Sequence, residues 1–267
     1  MTRSLPSSMT TLQLQTDARG IALVTFDRPE RSNAMNAPML RELSSLLRAL
    51  EADASVRMVV LRGAGRHFCA GADVGSEVAA GNVEAAEPTP TITQVCHQID
   101  RLAKPVIGAV QGACVGGGVA IAACCDIVLA APEAFFAITE VRLGFAAAPL
   151  MPFFVRALGN RSARRYVLTG ERMSAADALR LGFVHRVEPR ESFDVALGAI
   201  AEDILLGAPG AIAASKALIA RVDGMAIDAE VLERLEAEFE ASVHGPEPQE
   251  GVASFRERRK PGWYRPA

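Results

Sequence analysis

The sequence predicts an α/β fold with a helical C-terminal region. Strand and helix patterns alternate through the first 190 residues, and the last 75 or so carry only helical patterns. Half of the 267 residues are hydrophobic and 22% are charged, enough apolar material for a sizeable core. The division is residues 1–190 as the core and residues 191–267 as a helical appendage.

The chain opens with a polar segment, MTRSLPSSMT, without the apolar core of a signal peptide. Leu12–Thr16 and Ile21–Asp27 read as a hairpin around Arg19-Gly20. A turn-rich stretch, DRPERSNAMNAP, leads to Asn36 as an N-cap with Pro38 close behind. Leu40, Leu43, Leu46, Leu47 and Leu50 then recur at helical spacing over Met39–Glu51. RMVVLR, Arg57–Arg62, is a buried strand, and Gly63–Asp73 is a loop. Val74 to Pro90 has little periodicity and is expected to be the most mobile part of the chain. Thr91–Ala103 is a helix with Ile92, Val95, Ile99 and Leu102 inward.

Lys104 to Ala131 organises the molecule. Pro105–Val110 is a strand and Gln111–Gly118 a glycine-rich turn. Val119–Cys124 is a helix without charge, hence buried all round, and Asp126–Ala131 is a second strand. A glycine turn feeding a buried helix aims free N–H groups at whatever lies before it. Taken alone, the turn serves equally as an anion or oxyanion site and as a tight connection with no ligand. A short segment, Ala134–Ile138, precedes a loop over Thr139–Pro149. Leu150–Leu158 and Arg161–Leu168 are helical. Ser174 caps a helix over Ala175–Leu181 that Gly182 ends, and Phe183–Val187 is a strand. Helices follow, broken at Gly207–Gly210, at Gly224 and at Gly245–Pro248.

Composition narrows the function classes. A net charge of −3 gives no reason to expect nucleic acid or an anionic membrane as partner. The longest apolar runs are interrupted before they could span a bilayer. Five cysteines, without C-x-x-C spacing, suit reduced thiols and a cytoplasmic location. Four histidines are scattered, and no zinc pattern or other metal site is expected.

Three segments carry the chemistry together: FCAGAD at Phe68–Asp73, GACVGGG at Gly112–Gly118, and ITEVRLG at Ile138–Gly144. With them the chain resembles the crotonase family, the enoyl-CoA hydratase/isomerases. DRPERSNAMN is similar to its N-terminal coenzyme A loop and FCAGAD to its first oxyanion segment. KPVIGAVQGACVGGGVAIAACCDIVLA is similar to its central signature, and FAITEVRLG to its acid/base loop. TGERMSAADALRLGFV and EGVASFRERRKPGW also match, in order.

The resemblance implies a spiral of ββα units and a helical trimerisation region, hence a homotrimer or a dimer of trimers. It implies an acyl-CoA substrate, coenzyme A being part of that substrate, and no separate cofactor. The backbone N–H groups of Ala72 and Gly117 would hold the thioester oxygen as negative charge develops on it. Glu140, in an apolar context, would exchange the proton. An ion pair with Arg142 is the alternative for that carboxylate. Coenzyme A would lean on Arg31, Ala34, Met35, Ala70, Asp73, Val74 and Gly116, and on the basic cluster ending in Lys260. That cluster reads almost equally well as a solvated helix end. Cys69 and Cys114 border the site as lining.

The chain departs from the family at two places, and in one of them, GFAAAP, Ala147 and Ala148 stand where hydratases usually have Pro and Gly. Where typical hydratases carry a second glutamate, two residues after GGG, this chain has Ala120. Water would then be activated by Glu140 alone or by a further residue outside the matched motif positions, or the reaction would be a Δ3-Δ2 double-bond shift. A catalytically silent acyl-CoA-binding module is the alternative from another class.

Overall fold

The computed structural model describes residues 9–73 and 88–266; Val74 and most of the stretch from it to Pro90, expected to be mobile, lie outside them. β1 (Leu12–Thr16) and β2 (Ile21–Phe26) form the expected antiparallel hairpin, with Leu12 opposite Phe26. α1 (Ala37–Ala52) starts where Asn36 accepts a hydrogen bond from the Met39 N–H at 3.0 Å. β3 (Met58–Gly63) follows. α2 (Ile92–Arg101) opens with a capping box between Thr91 and Gln94. Then come β4 (Val106–Val110), β5 (Ala113–Val115), α3 (Gly117–Cys124), β6 (Ile127–Ala130) and β7 (Phe135–Ala137). α4 (Met151–Leu158), α5 (Asn160–Thr169), β8 (Met173–Ser174), α6 (Ala175–Arg180) and β9 (Arg186–Val187) complete the core. The C-terminal region is α7 (Phe193–Leu206), α8 (Pro209–Val222), α9 (Ala229–Ser242) and α10 (Pro246–Glu257).

The larger sheet runs β1-β2-β3-β4-β6-β9, parallel except for β1. The smaller runs β5-β7-β8. In the middle of the chain the path visits a strand of the large sheet, a short strand of the small one, then a helix. β4-β5-α3 is one such turn, and β6-β7 with α4 the next. An isolated parallel bridge between Cys69 and Cys114 joins the preceding turn to the stack.

Both faces of the large sheet are covered, as strands of continuous apolar sequence require. Val59 and Leu61 of β3, and Val106 and Val110 of β4, face α1, α2 and α3 in the main core. Their neighbours Met58, Val60, Ile107 and Ala109 point the other way, onto Phe193, Ala196 and Ala201 of α7. Aromatic pairs tie the layers together. Phe26 meets Phe68 edge-on at 5.2 Å, and Phe183 sits between Phe136 and Phe154 at 5.1 and 5.7 Å.

The structure moves some boundaries. The helix expected from Val119 begins at Gly117, because glycine at the first two positions lets the backbone turn there. The glycine-rich stretch contains β5, and Met173–Ser174 is a strand. Phe183 and Val184 are not in a strand, and β9 is only Arg186–Val187. Pro246 and Pro248 lie inside the first turn of α10, so the break there ends at Gly245.

Candidate active site

The site lies beyond the carboxyl ends of β3 and β4, the customary ligand edge of an α/β sheet. After β3 the chain returns as Phe68–Asp73. The Cys69 N–H donates to the Ala113 carbonyl at 3.1 Å, and the Val115 N–H to the Cys69 carbonyl at 2.9 Å. This lays the FCAGAD segment along GACVGGG. Gly71 (φ +94°) and Gly116 (φ +52°) meet at the end of the ladder. A Cβ on Gly71 would stand 3.1 Å from the Val115 carbonyl oxygen, and one on Gly116 3.7 Å from the Gly71 Cα. Only residues without a side chain let these segments approach so closely.

The residues that follow, Ala72 and Gly117, each carry an N–H with no hydrogen-bond partner among the described residues. At Gly117 the reason is its place as the first residue of α3, where no helical acceptor exists. At Ala72 the flanking groups are taken instead: Met35 N–H donates to the Gly71 carbonyl at 2.8 Å, and Asp73 N–H to the Met35 carbonyl at 2.9 Å. Gly118 is required by packing, since a Cβ there would meet the Cys69 carbonyl oxygen at 2.7 Å.

Glu140 opens a 3-10 turn, Glu140–Leu143, directly after β7. Gly116 bonds to the strand before it, its N–H donating to the Ala137 carbonyl at 2.9 Å. Glu140 Oε1 lies 3.0 Å from the point a Cβ on Gly116 would occupy. Its Oε2 is closed to solvent and accepts no hydrogen bond from the described residues. Arg142 does not pair with it: its Nη2 donates to the Thr169 carbonyl at 3.3 Å. Ala120 is wholly buried in α3, its N–H bonded to the Gly116 carbonyl at 3.2 Å, and brings no second carboxylate. A buried carboxylate oxygen without a partner can take a proton, and two free N–H donors can hold an oxygen that becomes negative.

The N-terminal loop is built against this site. Met35 is buried, with its Cε 2.2 Å from where a Cβ on Gly117 would stand, and Ala34 is half-buried beside it. Ala70 is held by its N–H to the Ser32 carbonyl at 3.0 Å. Arg31 is exposed at the end of a short 3-10 turn, Pro29–Arg31. Asp73 is ion-paired with Arg28 at 2.9 Å. Lys260 is elsewhere. Its Nζ lies 4.7 Å from the Tyr264 ring centre, in a tail that Arg57 holds through the Trp263 carbonyl at 2.7 Å. Arg57 immediately precedes β3, so Lys260 sits at the opposite edge of the sheet from Glu140.

Sequence reasoning passed over the residues that hold the loops. Arg28 forks between the Ala34 carbonyl and Asp73, joining both sides of Ala72. Asn33 is fully buried at φ +56°, and its Nδ2 donates to the carbonyls of Ala64 and His67 at 2.9 and 2.7 Å. Gln111 Nε2 donates to the Gly63 carbonyl at 2.6 Å, and His67 Nδ1 accepts from the Ala113 N–H at 3.0 Å. The one local hint was asparagine in a turn-rich stretch, a residue that tolerates positive φ.

Burial pushes the Cys69 thiol up to about 12 and raises Cys114 well above its ordinary value. Both thiols are fully buried and line the bridge between the two segments. Among the described residues no group of three or more His, Cys, Asp or Glu side chains could hold a metal ion.

Comparison with known proteins gives this geometry its context. Residues 16–266 match the family model of the enoyl-CoA hydratase/isomerases. The chain is 34% identical over 249 residues to the short-chain-enoyl-CoA hydratase of Clostridium acetobutylicum, covering 90% of this chain and 92% of that one. It is 33% identical over 239 residues to an enoyl-CoA hydratase of Alternaria alternata, covering 89% and 78%. A crystal structure of an enoyl-CoA hydratase from Shewanella pealeana superposes with a TM-score of 0.90 at 29% identity, covering 97% and 98%. One of an enoyl-CoA hydratase/isomerase from Marinobacter aquaeolei superposes at 0.87 and 37% identity, covering 95% and 98%. The free amides, the carboxylate and the spiral thus belong to a chain of the enoyl-CoA hydratase/isomerase family, with the crotonase fold.

Proposed function

We propose that this protein hydrates 2-enoyl-CoA thioesters, with Glu140 as its single acid/base group. The observation that carries the reading is the buried Glu140 Oε2, without a partner among the described residues, beside the Gly71–Gly116 junction. In this mechanism Glu140 takes a proton from water as the water oxygen bonds to the β carbon. The electron pair of the double bond moves toward the thioester, and its oxygen becomes negative against the Ala72 and Gly117 N–H groups. The carboxyl then returns the proton to the α carbon. The two donors act more strongly on the enolate than on the neutral thioester, so they lower the barrier rather than merely bind; one such donor contributes about a hundred- to a thousandfold.

A second reading has its own observation. Ala120 leaves no second carboxylate to hold the water. In a Δ3-Δ2 isomerisation Glu140 would remove a proton from C2 and return it to C4, and no water would be needed. Incubation with a 2-enoyl-CoA and a 3-enoyl-CoA in parallel, with product analysis, tests the proposal. Hydroxyacyl-CoA from the 2-enoyl substrate supports hydration; double-bond migration alone refutes it.

For coenzyme A, the reading uses the loop of Arg31, Ala34 and Met35 with the backbone around Ala70, Asp73, Val74 and Gly116. Lys260, at the far edge of its own chain, would serve a neighbouring subunit's site. Exposed Ile227, Phe239, Val252 and Phe255 on the C-terminal region support association into a trimer or a dimer of trimers. Five free thiols suit a reducing cytoplasm.

A further inference from the structure

The ladder that joins the two amide-bearing segments contains one link that can titrate. Cys69 N–H donates to the Ala113 carbonyl at 3.1 Å and Val115 N–H to the Cys69 carbonyl at 2.9 Å, the alternation of a parallel pair. One step back in that register, the Ala113 N–H would meet the His67 carbonyl. That carbonyl is instead taken by Asn33 Nδ2 at 2.7 Å and Gln111 Nε2 at 3.3 Å. Ala113 N–H donates to the side chain of the same residue, His67 Nδ1, at 3.0 Å. An imidazole thus stands where the ladder calls for a peptide oxygen.

The chain is shaped to admit the ring. Gly112 has φ +58°, and a Cβ there would stand 2.6 Å from His67 Nδ1 and 2.3 Å from the Arg66 carbonyl oxygen. Because Nδ1 accepts, the neutral ring carries its proton on Nε2. A proton added at Nδ1 would set two donors face to face and end the bond. Burial disfavours the imidazolium first, and the Arg66 guanidinium, the charge that acts on the ring, adds to it. Together they hold the group below its ordinary value of 6.5, and no carboxylate among the described residues offsets them. The Cys69 and Cys114 thiols, next along the ladder, are pushed up by burial and stay neutral in the same range.

We infer that neutral His67 is a positioning residue, holding the register of the two segments that present the Ala72 and Gly117 N–H groups to the thioester oxygen. Ala72 follows His67 by five residues and Gly117 follows Ala113 by four, so a slip at this link is carried to both donors. Protonation of the ring slows the reaction more than it weakens binding, since the two donors act on charge that develops after binding. The inference rests on the oxyanion role given to those amides above. It also bears on stability. The folded chain binds this proton less readily than the unfolded chain, so the stability is complete above pH 6.5 and falls as pH drops below it.

The test compares wild type with His67→Asn, whose Oδ1 takes the place of Nδ1 and accepts at every pH, and with His67→Leu, which never accepts. kcat and KM for an enoyl-CoA are measured from about pH 5 to about pH 8. Whatever Glu140 adds to the profile cancels in the ratio between proteins. At the alkaline end His67→Leu should have kcat about three- to tenfold below wild type with KM within about twofold, and His67→Asn should recover most of that loss. Below about pH 6 the wild-type rate should sink toward that of His67→Leu, so the ratio of wild type to His67→Asn drops by about three- to tenfold. The melting temperature of His67→Asn should fall less than that of wild type over the same range. A ratio of wild type to His67→Asn that is the same at every pH would overturn the inference, and this comparison stands even if His67→Leu fails to fold. A wild type inert toward both 2-enoyl-CoA and 3-enoyl-CoA would instead overturn the account of the site on which the inference rests.

Discussion

Replacing Gly116 by alanine should disable the site while leaving the protein folded. Gly116 has φ +52° and ψ −118°, a combination that L residues adopt only under strain. That strain costs about 1–3 kcal/mol. For a chain of this size each kcal/mol lowers the melting temperature by roughly 2–4 °C, so the drop should be about 2–12 °C. The added Cβ also stands 3.0 Å from Glu140 Oε1, and the carboxylate must retreat by a few tenths of an ångström. A reacting group misplaced by 1 Å can lose about a hundredfold in rate, so a loss of about ten- to a hundredfold in kcat is expected. Gly182→Ala separates the two effects: its φ is +77°, but a Cβ there would meet nothing within 4 Å. It should lose stability and keep its rate. Thermal melting and turnover of a 2-enoyl-CoA measure both quantities. A folded Gly116→Ala enzyme with wild-type kcat would refute the placement of Glu140 against the glycine turn.

Other consequences can be checked with the same assays. Arg28→Met breaks a pair in which each side chain is about 15% exposed; it should cost about 1–3 kcal/mol in thermal stability and lower kcat more than it raises KM. Arg28→Lys keeps the charge but cannot fork to both Ala34 and Asp73, so only part of the activity should return. Burial alone would raise the Glu42 carboxyl, but hydrogen bonds from Thr11 and Thr10 hold it below its ordinary value of 4.5. A depressed carboxylate contributes stability above the unfolded value and loses it as pH falls, so Glu42→Gln should lower the melting temperature at pH 7 and the difference should shrink below about pH 4.5. With burial pushing Cys69 and Cys114 up, native protein should resist a thiol reagent at pH 8 at both residues and react after denaturation; Cys69→Ala should remain active.

Much of this architecture could be read from the chain because local signals agreed with tertiary ones. Asn36 and Ser174 cap the helices expected of them, and the charge-free segment after the glycine turn is buried throughout. The motif segments FCAGAD and GACVGGG, grouped by their order in the chain, do meet, at Gly71 and Gly116. Elements whose partners are remote in sequence were not legible. β5 is three residues long and exists because Cys69 and β7 flank it. Asn33, Gln111 and Arg28 act through carbonyls and a carboxylate up to 48 residues distant, and no periodicity reveals such pairings. Lys260 lies across the sheet from Glu140 in the single chain, so a role at the site would be played across a subunit boundary.

The most direct test is the turnover of a 2-enoyl-CoA by Glu140→Gln, measured beside its binding of a non-reactive acyl-CoA. The amide keeps the size of the side chain but cannot accept and return the proton. The account predicts that kcat falls by at least about a hundredfold while acyl-CoA affinity changes little. A variant that turns over at the wild-type rate would contradict it, because the reaction would then not run through Glu140.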